Sequence, residues 1–145
     1  MKDIIKEPGR IVIPSDPTYL QALDDFLEET LRGFGMADND VADVAISVTE
    51  LVNNAITHGN MNDSQKTVEV KIVRNSDQVE VTIKDQGLGF NPGNIPDPLS
   101  DENLLKETGR GIFIVRSLMD KVEFETAKNG GTRVKVVKKF TPVEE

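Results

Sequence analysis

Apolar residues in this chain recur with two different periods. Leu20, Leu23, Phe26, Leu27, Leu31 and Phe34 return every three or four positions, which predicts an amphipathic helix. Asp16 followed by Pro17 supplies an N-cap and a proline at the first helical position, and Gly33 and Gly35 end the helix. Val41, Val44, Ala45, Val48, Leu51, Val52 and Ala55 mark a second helix, with Asp38 as its candidate cap and His58-Gly59 as its stop. Its opposite face is polar and carries Asp43, Ser47, Glu50, Asn54 and His58. A third helix opens at Gly109-Arg110-Gly111 and turns Ile112, Val115, Leu118 and Met119 inward.

Elsewhere the period is two. Val68, Val70 and Ile72 alternate with Glu69, Lys71 and Val73, and Val79, Val81 and Ile83 with Glu80, Thr82 and Lys84. The turn cluster Asn75-Ser76-Asp77 between them predicts an antiparallel hairpin with one buried face. Val122, Phe124 and Thr126 form a further strand, Asn129-Gly130-Gly131 a turn, and Thr132, Val134 and Val136 the last strand. Near the N-terminus, Arg10 to Ile13 is a short β-rich run ended by Pro14. It is expected at a sheet edge, where it is a candidate interface with another subunit. Residues 91–108 are rich in Pro, Asn and Asp, and a loop of that length in a small domain is expected to be a functional lid or disordered.

These elements predict one domain over residues 1–145 of α/β (α+β) class. The expected architecture is a two-layer sandwich, with a mostly antiparallel mixed sheet of four or five strands and three helices on one face. Strands and helices do not alternate as βαβ units, and no Walker-type glycine loop is present, so a doubly wound nucleotide fold is not expected.

Composition narrows the function. With 145 residues and 37% hydrophobic content, the chain suits one domain with its own core. A net charge of -8 argues against nucleic acid or a membrane surface as direct partner. No cysteine is present, so disulfides, thiolate metal sites and a cysteine nucleophile are excluded. The only histidine, His58, rules out a multi-histidine metal site within one chain. Neither a signal peptide nor a membrane-spanning run is expected, and a cytoplasmic setting fits.

Three segments carry candidate chemistry. Glu50 and Asn54 are four apart on the polar face of the second helix, so a carboxylate and an amide stand one turn apart. The carboxylate can accept a proton and the amide oxygen can coordinate a hard cation such as Mg2+. Asp85 ends a strand and is followed by Gly87 and Gly89, which let a flat ligand approach an acceptor for an exocyclic amine. Gly109 and Gly111 expose backbone N–H groups at a helix start, a ready anion site, with Arg110 adding charge. Each segment alone is also an ordinary helix face, turn or junction; together they supply the parts of an Mg-nucleotide site.

The order and spacing resemble the GHKL ATPase superfamily over nearly the whole chain. Glu50-Leu51-Val52-Asn53-Asn54-Ala55 is similar to its N-box, Asp85-Gln86-Gly87-Leu88-Gly89-Phe90 to its first glycine box, and Thr108-Gly109-Arg110-Gly111-Ile112 to its second. The small size, Asn54 to Gly59 and Gly111 to Asp120 resemble one branch, the bacterial anti-sigma-factor serine/threonine kinases. The resemblance implies the Bergerat fold and Mg2+-dependent use of ATP. It also implies phosphorylation of a serine or threonine on an anti-sigma-factor antagonist, sequestration of a partner such as a sigma factor, and a homodimer. It makes Glu50 the general base and Asn54 the Mg2+ ligand. Asp85 would bind the adenine amine, Gly87 and Gly89 would shape its wall, and Gly109, Arg110 and Gly111 would meet the phosphates. Thr132 would help to hold the base. The alternative expectation is a nucleotide-dependent partner-binding module with little or no kinase activity.

Overall fold

The computed structural model describes residues 4–87, 111–126 and 130–143. The expected lid over residues 91–108 lies outside them, as do Gly89, Gly109 and Arg110. The strands are β1 (Ile5–Glu7), β2 (Arg10–Pro14), β3 (Thr67–Asn75), β4 (Gln78–Lys84), β5 (Lys121–Thr126) and β6 (Thr132–Lys139). The helices are α1 (Leu20–Gly33), α2 (Asp38–Asn54) and α3 (Gly111–Leu118). The six strands form one sheet in the order β1-β2-β3-β4-β6-β5. The sheet, expected to be mostly antiparallel, is antiparallel at all five pairings.

Register explains why one face is apolar. Ile11 faces Val70, Val70 faces Ile83, Ile83 faces Val134 and Val134 faces Phe124, an apolar row across five strands. A second row runs Ile72, Val81, Val136, Val122. Alternation sends these residues to the helical layer and their neighbours to the opposite face, where most are at least partly exposed but Val12 and Val137 are buried. On the solvent face, ion pairs such as Arg10–Glu69 at 2.7 Å and Lys135–Glu80 at 3.1 Å cross between strands. Pairs this accessible to water each contribute about 0–1 kcal/mol, so the apolar rows carry the fold.

The helices cover that face. α1 buries Leu23, Phe26, Leu27 and Leu31, α2 buries Val41, Val44, Val48, Leu51 and Val52, and α3 buries Ile112 and Val115. α2 packs against both of the others. Asp16 caps a short 3-10 turn, Pro17–Tyr19, by accepting from Thr18 N at 2.9 Å, and the turn runs on into α1.

The structure corrects four expectations. The Ile11–Ile13 run is not an edge, because β1 pairs with its outer side, so the proposed subunit contact there is already filled by the chain itself. Among the described residues the sheet has six strands rather than about four or five. Asp38 is the first residue of α2, after Ala37 at the cap, and its side chain pairs with Arg32 instead. Ser47, expected on the polar face of α2, is 0% exposed.

Candidate functional site

α2 does not end where its α-helical period ends. Residues Ala55–Gly59 continue it as one π-helical turn, in which Asn60 N donates to Ala55 O at 2.7 Å. The wider turn takes in an extra residue and rotates everything after it by roughly 100° relative to an unbroken α-helix. Within the turn, Thr57 Oγ1 donates back to Asn53 O at 2.9 Å, a bond that competes with the regular ladder and favours a bend. His58, predicted to share the face of Glu50 and Asn54, is exposed. Gly59 is carried instead against Asp85.

Around Asp85 the packing leaves no room for side chains. The carboxylate is 5% exposed. Its Oδ1 accepts from Gly87 N at 3.0 Å and from Thr132 N at 2.9 Å. Its backbone N donates to Thr132 O at 3.1 Å, which ties the end of β4 to the start of β6. A Cβ on Gly59 would overlap Oδ2, one on Gly87 would overlap Gly59 O, and one on Gly131 would overlap Asp85 O. Gly131 also has φ +83, a conformation that suits glycine. One oxygen of Asp85 is therefore held by two backbone donors, and the other faces the bare backbone of Gly59.

Glu50 and Asn54 meet the start of α3. A Cβ on Gly111 would stand 2.8 Å from Glu50 Oε2 and 3.9 Å from Asn54 Nδ2. Any larger residue at position 111 would make the Glu50 carboxylate shift away from the helix start. Asn54 Nδ2 is buried without a hydrogen-bond partner among the described residues. A side-chain amide can turn over to exchange its nitrogen and oxygen, so either atom is available to a ligand. An unpaired buried amide costs about 1–3 kcal/mol, which a bound group would relieve. The residues present thus fit a cation at Asn54 and an amine donor at Asp85. Among the described residues no cluster of three His, Cys, Asp or Glu could hold a metal by itself.

The structure brings Glu50, Asn54 and Gly111 into one cluster and Asp85, Gly87 and Thr132 into another. Residues 54 to 59 join the two. Thr132 acts through its backbone N–H on Asp85. Sequence reasoning misses Gly59, Gly131 and Asn60. In the sequence Gly59 reads only as a helix stop and Gly131 only as a turn residue. The wholly buried Asn60 gives no signal, since an Asn after a glycine reads as loop.

Residues 13–138 match the model of the histidine kinase-like ATPase domain family. The anti-sigma F factor of Clostridium beijerinckii is 34% identical over 107 residues, covering 72% of this chain and 75% of that protein. That of Oceanobacillus iheyensis is 30% identical over 71% of this chain and 72% of its own. The fold is shared with the SiaB-SiaC complex from Pseudomonas aeruginosa at TM-score 0.66 and 14% identity, over 92% of this chain and 89% of that one. It is shared too with the RsbU and RsbW domains of Rv1364c from Mycobacterium tuberculosis, at TM-score 0.62 and 19% identity. That match covers 92% of this chain and 32% of the longer one.

Proposed function

The chain belongs to the histidine kinase-like ATPase family, among the anti-sigma F factors, and on that premise we propose that it is a partner-switching serine/threonine kinase. It binds ATP with Mg2+ and phosphorylates a serine or threonine of an anti-sigma-factor antagonist. It also sequesters a regulatory partner such as a sigma factor, and works as a cytoplasmic homodimer. The observation that carries this reading is the bare start of α3 standing against Glu50 and Asn54.

Each residue then has a defined task. Asp85 Oδ2 accepts the exocyclic amine of adenine, while Gly87, Gly89 and the strand start at Thr132 wall the base. Gly109, Arg110 and Gly111 present backbone donors and charge to the phosphates. Asn54 holds Mg2+, which when bound neutralises the phosphate charge. Glu50 orients the substrate hydroxyl and takes its proton. The hydroxyl oxygen bonds to the γ-phosphorus as the bond from that phosphorus to the ADP oxygen breaks, and ADP leaves.

The test is incubation of the protein with γ-labelled ATP and Mg2+ in host lysate, with Asn54→Ala as control. Label on serine or threonine of a small protein, lost in the control, is the expected result. Absence of label together with tight nucleotide binding would replace the kinase by a sequestering module. Absence of both would remove the nucleotide site.

A further inference from the structure

The wholly buried side chain of Asn60 sits between two strands at the point where they stop pairing. Continued by two residues, the β3–β4 register that faces Glu69 with Lys84 would face Thr67 with Gln86. That pair does not form. Instead Gln86 N donates to Asn60 Oδ1 at 2.7 Å, and Asn60 Nδ2 donates to Thr67 O at 3.0 Å. Thr67 N donates to Gln86 Oε1 at 2.7 Å and closes the ring. The Asn60 amide thus takes the donor and the acceptor that the two strands would have exchanged. A further bond, Asn60 Nδ2 to Ser15 Oγ at 2.6 Å, fixes the amide from the end of β2.

The wedge lies one residue from Gly59 in the chain, and its partner Gln86 lies between Asp85 and Gly87. It therefore sets both sides of the Asp85 carboxylate: the Gly59 backbone facing Oδ2, and the turn whose Gly87 N–H holds Oδ1. We infer that Asn60 is a positioning residue for base selection, a side-chain amide that parts β3 from β4 and so fixes the direction in which Asp85 offers its free oxygen. This rests on the reading of Asp85 as the adenine acceptor, and it assigns the discrimination between bases to a residue that touches no base.

The experiment measures dissociation constants of ATP and GTP by calorimetry for the wild type, Asn60→Asp, Asn60→Ala and Ser15→Ala, with melting temperatures alongside. Asn60→Asp keeps the acceptor for Gln86 N but sets a carboxylate oxygen against Thr67 O. Ser15→Ala removes one bond and leaves the ring, so it serves where the Asn60 variants fail to fold. The expected result is a fall in the ATP-over-GTP preference of about tenfold in the Asn60 variants, the weight of one hydrogen bond, and a smaller fall in Ser15→Ala. GTP affinity should stay near the wild-type value. Lower melting temperatures with an unchanged preference would reduce Asn60 to a stability role and overturn the inference, while adenine selection by the wild type would stand. A wild type with no adenine preference would overturn the inference together with the reading of Asp85.

Discussion

Residue by residue, the site joins groups that are held to groups that are free. Glu50→Gln keeps the shape beside Gly111 and removes the base, so phosphoryl transfer should fall by roughly 10²–10⁴-fold. Single-turnover kinetics on the substrate protein check this, and nucleotide affinity should be retained; its loss would make Glu50 a binding group. Asp85→Asn should weaken adenine nucleotides by about 1.5–3 kcal/mol, the size of a hydrogen bond to a charged group. Unchanged affinity would move the base elsewhere. Gly59→Ala drives a methyl into Oδ2 of a carboxylate that Gly87 N and Thr132 N prevent from swinging away. Denaturant unfolding should show a loss of about 1–3 kcal/mol, the usual cost of overpacking. Glu50, Asn54 and Asp85 stand out as candidates in the sequence because their side-chain types and spacing suggest chemistry, and the fold sets Glu50 and Asn54 beside Gly111 and buries Asp85. Gly59 and Asn60 do not stand out, because their importance lies in what the folded chain brings to them from residues 15, 67, 85 and 86.

Elements were legible in proportion to their length and regularity. The β3–β4 hairpin and both long helices announced themselves through sustained periods. β1 did not, since Ile5-Lys6-Glu7 is three exposed residues with no alternation to read. The π-helical turn was invisible for a related reason: one inserted residue leaves the apolar stripe of α2 intact up to Ala55 and redirects only the residues beyond it. Ser47 shows the limit of a helical wheel on a helix packed on two sides, where a polar stripe becomes a contact. α3, at eight residues, is too short to hold its position alone and is tied to the sheet at its far end. Lys138 of β6 donates to Leu118 O at 2.7 Å and pairs with Asp43 of α2 at 3.0 Å, with its side chain 15% exposed. Lys138→Met keeps the stem but leaves both acceptors unpaired, so it should cost about 1–3 kcal/mol in denaturant unfolding. Lys121→Met, at a 3.4 Å pair with both side chains half or more exposed, should change stability by less than about 0.5 kcal/mol. Equal effects would mean that the tie at the end of α3 contributes nothing special.

Across the whole molecule, the charge of -8 is not evenly spread, and α1 holds a dense acidic stretch with Asp24, Asp25, Glu28 and Glu29 within six residues. Asp24 shows the consequence. Partial burial pushes its carboxyl above the ordinary value of 3.8, and the like charge of Glu28 one turn away adds to the shift. A hydrogen bond shared with Glu28 and the like charge of Asp25 raise it further, while Arg32 pairs with Glu28 at 3.4 Å. A carboxyl with a raised folded pKa binds its proton more tightly in the fold than in the unfolded chain. Its ionised form therefore opposes folding at neutral pH, and that opposition fades as pH falls through the folded pKa towards the unfolded one. Asp24→Asn removes the charge and keeps the shape. The variant should be more stable than the wild type at pH 7, and the two should converge as the buffer approaches pH 4. Urea unfolding at both pH values checks the sign. A gain that does not shrink on acidification would belong to the amide's own contacts, and a loss at pH 7 would mean that the ionised carboxylate is favoured in the fold.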